Sequence, residues 1–146
     1  MAQITVNTQI ITEDDTGRRY AYNYGRTITD LTEIRVQQIA VASGAANSIV
    51  WDPTVDTSDP IQSFTFLAMA ANGNLDAGFT ANEGDGNEEL DTKRLVQGIP
   101  FMLGSDVSYY NHSANNPFGG TADVIDKISV DEPDSSAVVL DMIMAR

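Results

Sequence analysis

A chain of 146 residues with 8 Lys+Arg against 21 Asp+Glu carries a net charge of −13, and at roughly 150 residues per domain its length corresponds to one domain, residues 1–146. So acidic a surface repels phosphate backbones and anionic headgroups, which argues against nucleic acid and membrane as partners. With 42% apolar residues the chain can bury about two thirds of its unfolded surface, and with no cysteine it has no disulfide, thiolate metal site or cysteine nucleophile. No basic segment leading into an apolar stretch opens the chain, and no apolar run approaches the roughly 18 residues of a membrane span; the expectation is a soluble protein without an export signal.

β-Branched and aromatic residues recur in short runs bounded by Gly, Pro, Asn and Asp, so strands are expected throughout. The first is Gln3–Thr12, with Ile4, Val6, Thr8 and Ile10 on one face by period two. Its partner is Arg18–Gly25, with Tyr20, Tyr22 and Tyr24 on one side, and Glu13–Gly17 supplies the turn of a hairpin. Within Thr29–Ser43, Asp30 and Glu33 could form a helical capping box, but the β-branched content favours a turn followed by a strand at Glu33–Ala42. Further strands are expected at Ser48–Trp51, Ile61–Ala71, Gly78–Asn82, Glu88–Val96, Ile99–Leu103, Ala122–Asp131 and Ala137–Ala145. Ser63–Ala70 is apolar on both faces and the last segment nearly so, which marks central strands. Ten strands at short spacing with no alternating helices predict an all-β antiparallel sandwich, jelly-roll-like, with little or no helix. The longest irregular stretch, Leu103–Gly120, holds Tyr109, Tyr110 and His112, and a loop of that length is usually functional or a partner contact.

Chemistry-bearing patterns are sparse. Asp15-Thr16-Gly17 matches the catalytic triplet of aspartic proteases, but Glu13-Asp14 before it and Arg18-Arg19 after it replace the apolar strand and small residue of that context, and a tight turn accounts for the triplet. Asp52, Asp56 and Asp59 in one loop and Asp85 in another offer oxygens for calcium, yet Thr57 stands where a helical calcium loop needs Gly and Ser63 where it needs Glu. His112 is the only imidazole and no G-x-S-x-G elbow exists, so no enzyme, cofactor or metal is expected. The tyrosine stripe is more informative, because Arg18, Arg19, Arg26 and Arg35 surround it. Residues 1–50 total −1 and residues 51–146 total −12. Arg18, Arg19, Tyr20, Tyr22, Tyr24, Arg26 and Arg35 are therefore candidate partner-binding residues, competing with a reading in which the tyrosines are core. Trp51, Tyr109 and Tyr110 form an alternative aromatic set for stacking on a glycan.

A chain that begins MAQITVNTQIIT, lacks cysteine, has Asp/Asn-rich loops and closes with Gly119-Gly120-Thr121-Ala122-Asp123-Val124-Ile125-Asp126-Lys127-Ile128-Ser129-Val130, the acidic turn Asp131-Glu132-Pro133-Asp134 and an apolar terminal strand resembles small virion proteins of tailed bacteriophages, of the capsid decoration or cement type. The resemblance is one of style across the whole chain. It implies a β-sandwich, often trimeric, that is soluble in the host cytoplasm before assembly and then sits on the outer capsid surface against the major capsid protein. The alternatives kept beside it are a carbohydrate- or receptor-binding module and a head-to-tail neck component.

Overall fold

Period-two alternation turns into strand at every segment where the sequence places one. The computed structural model describes residues 2–53, 55, 58, 61, 63–81, 89–104 and 125–146, and among them are ten strands and no helix. These are β1 (Ala2–Glu13), β2 (Arg19–Leu31), β3 (Ile34–Val41), β4 (Ser48–Trp51), β5 (Phe66–Ala71), β6 (Leu75–Ala81), β7 (Glu89–Leu95), β8 (Phe101–Gly104), β9 (Ile125–Asp131) and β10 (Val138–Ala145). The chain divides into two compact units, Met1–Thr32 and Glu33–Arg146. The sandwich is built from the second, and β1 with β2 forms a separate two-stranded sheet.

The strand expected over Ile61–Ala71 begins only at Phe66, and two other expected boundaries moved for one reason. The sequence reading ends the second strand at Gly25 and starts the sixth at Gly78, but both glycines lie inside strands. A Cβ on Gly25 would come within 2.9 Å of Asn7 Oδ1, and one on Gly78 within 3.0 Å of Ser129 Oγ. Each glycine makes room for a cross-strand side chain instead of a turn. No capping box forms at Asp30 either, since β2 continues through it with a positive φ of 62°.

In the Glu33–Arg146 unit four antiparallel pairs nest inside one another: β3 with β10, β4 with β9, β5 with β8, and β6 with β7. Further pairing of β10 with β5 and of β9 with β6 completes two four-stranded sheets, ordered β3-β10-β5-β8 and β4-β9-β6-β7. Successive strands switch sheet at every step except between β6 and β7. As the doubly apolar pattern requires, β5 and β10 are interior strands.

Inward side chains of both sheets share one core cluster. Leu67, Met69, Leu140 and Met142 come from one sheet, Ala77, Phe79, Ile128 and Val130 from the other. The Phe79 and Phe101 rings meet at 5.4 Å across it. Each such side chain contributes on the order of 1.5–3 kcal/mol through removal from water.

The four edges of the sandwich are blunted in two ways. β4 and β8 are only four residues long. β3 and β7 are longer but place polar groups on the core side: Arg35 and Gln37 stand opposite the buried Met144 and Met142, and Lys93 and Asp91 stand opposite the buried Ala77 and Phe79. Directly paired residues share a face, so another strand added at either edge would bury these groups. Lys93 Nζ and Asp91 Oδ2 neutralise each other at 2.7 Å.

Glu132 ties two connections together. It is 5% exposed, and its carboxylate accepts backbone N–H groups from Gly44 (2.7 Å), Asp134 (2.8 Å) and Ser136 (3.0 Å). Its own N–H donates to Ala45 O at 2.7 Å, so the β3–β4 and β9–β10 connections are held by one residue. The Gly44 amide, followed by those of Ser136, Asp134 and Ser135, holds the Glu132 carboxyl below its ordinary range against the opposing effect of burial. A lowered folded-state pKa means stabilisation that is complete above the ordinary Glu range and is lost as pH falls through the folded value. Glu132→Gln should therefore lower the melting temperature by several degrees at pH 7, and the gap to wild type should narrow when melting is repeated at progressively more acid pH below about 4.3.

Candidate functional site

Strand register decides which side chains of the hairpin share a surface. Ile4 pairs with Ile28, Val6 with Arg26, Thr8 with Tyr24, Ile10 with Tyr22 and Thr12 with Tyr20, so one face unites the β1 aliphatics with the tyrosine stripe. The opposite face joins Thr5 to Thr27 and Gln9 to Asn23, where the hydroxyls lie 3.3 Å apart and Gln9 Nε2 donates to Asn23 Oδ1 at 2.9 Å. This polar face satisfies itself, with Ile11 beside Ala21 as its apolar pair. The space left by Gly25 forms a shallow depression there, lined by Asn7, Thr8, Gln9 and Asn23.

Exposure along the aromatic face is graded. Ile28 is buried and Ile4, Val6 and Thr8 are half-buried, whereas nearer the turn Ile10 is 43%, Tyr20 43% and Tyr22 52% exposed. Tyr20 and Tyr22 are therefore surface residues, which settles the core-or-surface question for these two rings. Among the described residues β1 and β2 pair only with each other, and β1 is the less protected edge, since Gln3–Thr12 contains no charge and no proline whereas β2 carries Arg19, Arg26 and Asp30.

The turn is built on Asp14. Its Oδ1 accepts the Thr16 N–H (2.9 Å), the Thr16 hydroxyl (2.7 Å) and the Arg18 N–H (2.9 Å), and the Tyr20 hydroxyl reaches Oδ2 at 3.4 Å. Asp14 N donates to Arg18 O and Gly17 N to Asp14 O, both at 3.0 Å, with Gly17 at φ 80°. Only a residue without Cβ adopts that φ without strain. The Thr16 hydroxyl first, then the Arg18 amide, hold the Asp14 carboxyl below its ordinary range. Asp15-Thr16-Gly17 is thus part of a hairpin turn, as its flanks imply.

The other candidate residues distribute as follows. Arg18 lies in the turn, and Arg19 on the polar face donates to Glu13 Oε2 at 2.7 Å. Arg26 shares the aromatic face, and Tyr24 pairs with Thr8 in the register. Arg35 lies in β3, within the Glu33–Arg146 unit, on the core side of a sandwich edge.

Trp51 is also reassigned. It is 3% exposed, its indole N–H donates to Ile61 O at 3.0 Å, and its ring packs edge-on against Phe64 at 5.4 Å. A buried ring with its polar atom satisfied offers no face to a sugar. Tyr109 and Tyr110 lie outside the described residues, as do Asp56, Asp59 and Asp85. Asp52 is half-buried and accepts the Val55 N–H at 3.1 Å, closing its own turn. Among the described residues no three Asp, Glu or His side chains come together to hold a metal, and no helix is long and apolar enough to cross a membrane.

The charge division follows the structural one. Met1–Thr32 has three arginines against four acids, a net −1, and Glu33–Arg146 has five bases against seventeen acids, a net −12. Sequence reasoning found the tyrosines and Arg18, Arg19 and Arg26, and missed Ile10 as their cross-strand partner. The expected turn at Glu13–Gly17 would pair Ile10 with Tyr20; the turn spans Asp14–Arg18 instead, with Glu13 opposite Arg19, and this shift by two puts Ile10 opposite Tyr22.

Comparison of the chain with protein-family models, with curated proteins and with solved structures finds no match. The class of protein is therefore defined by geometry: an antiparallel β-sandwich preceded by a hairpin with an exposed aromatic face.

Asp14→Ala should lower the hydrogen-exchange protection of β1 and β2 amides near the turn several-fold, while Asp15→Ala leaves it unchanged. Because the Asp14 pKa is lowered, this protection is present above the ordinary Asp range and is lost as pH falls through the folded value.

Proposed function

We propose that this chain is a non-enzymatic virion structural protein, a homo-oligomeric decoration or cement protein that binds the major capsid protein on the outer surface of a phage head and stabilises it. The observation that carries the reading is a sandwich with blunted edges joined to a hairpin whose aromatic face and strand edges are open. The strand order β3-β10-β5-β8 over β4-β9-β6-β7 is read as a jelly roll, the double-sheet architecture used by viral capsid and lectin domains. That analogy of fold does not by itself assign a function.

A decoration protein needs a rigid scaffold, a docking element and a solvent face that keeps particles apart. The eight-stranded core supplies the first, the hairpin the second, and the −12 of Glu33–Arg146 the third. Tyrosine and arginine are the residue types of binding hot spots, and the hairpin exposes Tyr20 and Tyr22 on one face, Arg19 on the other and Arg18 in the turn. The lectin alternative shares the strand order but loses Trp51 from its stacking set.

The test is co-sedimentation with capsids that lack this chain. Wild type should pellet with them in saturable amounts, and Arg18→Glu combined with Arg19→Glu should weaken binding at least tenfold, as loss of an anchor worth about 2 kcal/mol requires. Absence of wild-type binding overturns the decoration reading, and undiminished binding by the double variant overturns the hairpin as the contact.

A further inference from the structure

An antiparallel pair of strands has no interior, so an apolar face on it must be closed from outside; three or more strands, or a covering layer, are needed for stability in water. The hairpin pairs the polar groups of one face with each other and exposes a single aliphatic there, Ile11, whereas Ile10, Tyr20 and Tyr22 lie open together on the other. We infer that this face is closed by the same face of other copies of the chain, so that hairpins from different protomers form a shared, tyrosine-lined β core. This rests on the hairpin being the contact surface of the proposed virion protein, and it names the occupant.

Three observations favour a second copy. Charge comes first: two Glu33–Arg146 units at −12 each repel, whereas two hairpins at −1 approach almost freely, so self-association is directed to the hairpin. Composition of the face is the second. Arg26 is the one charged strand residue on it by register, exposed and opposite Val6, and at the turn the Tyr20 hydroxyl meets the Asp14 carboxylate, whose other oxygen is bonded to its own turn, so Ile10 and Tyr22 between them meet a copy without a charged strand neighbour on that face. The third is shape: a copy brings two strands of the same length and the same period-two relief, which stack as one sheet on another. Each hairpin then has the covering layer that two strands need. Arg18 and Arg19, at the turn, stay outside this core and are left for the capsid shell.

The test uses the full-length chain without capsids, by sedimentation velocity over a hundredfold range of concentration. Wild type should run as an oligomer, and Ile10→Glu or Tyr22→Glu should reduce it to the monomer mass. Asn23→Glu, on the polar face, should leave the mass unchanged. Trp51 fluorescence reports that the sandwich stays folded in each variant, because that indole is buried in its core.

Since the chain has no cysteine, a single Tyr22→Cys provides an independent arm. Mild oxidation should join it to another copy, while Asn23→Cys should stay monomeric on a reducing-agent-free gel. A monomeric wild type, an oligomer indifferent to both glutamate variants, or cross-linking at Asn23→Cys in place of Tyr22→Cys overturns the inference. A monomer that still binds capsids overturns the inference alone, and a tyrosine-dependent oligomer that ignores capsids overturns the decoration reading alone.

Discussion

Whatever face of a two-stranded sheet carries apolar side chains has to be covered by atoms from outside the pair, because the pair has only two faces and no interior between them. The sandwich meets this requirement within itself: two four-stranded sheets turn their apolar faces to each other and share one core. In the hairpin Ile28 is buried, and toward the turn Ile10, Tyr20 and Tyr22 stay exposed.

Edge chemistry sharpens the contrast. Every edge of the sandwich is short or carries polar groups on its core side, and Arg35, Gln37, Lys93 and Asp91 would each resist an added strand. β1 has neither defence along Gln3–Thr12. One molecule thus combines a body built against association with a hairpin open to it, and the partition of charge follows the same line.

The acidic residues are not all solvent coating. Asp14, Asp52 and Glu132 each accept backbone N–H groups that their turns leave unpaired, and Asp131 accepts the Asn47 N–H in the same way. A carboxylate is a strong acceptor for such groups, so part of the net charge is spent on loop geometry. Two of these carboxyls, Asp14 and Glu132, are held below their ordinary ranges for that reason. Acid should loosen the hairpin turn and the β3–β4/β9–β10 lock before it disturbs the core cluster, whose members are all apolar.

The sequence by itself determined the strands, the hairpin turn, the antiparallel class and the surface character of the acids, because period-two alternation, turn residues and composition act over a few neighbours. It read Gly25 and Gly78 as boundaries, since the close approach of Asn7 and Ser129 that they accommodate is a contact between strands. Only the tertiary structure decided which candidate aromatics are usable. Tyr20 and Tyr22 stay exposed and Trp51 is sealed against Phe64. Likewise it moved Arg35 to a sandwich edge and brought Ile10 beside Tyr22. Burial and register depend on residues brought together from distant parts of the chain, and no local pattern records which partner closes a face.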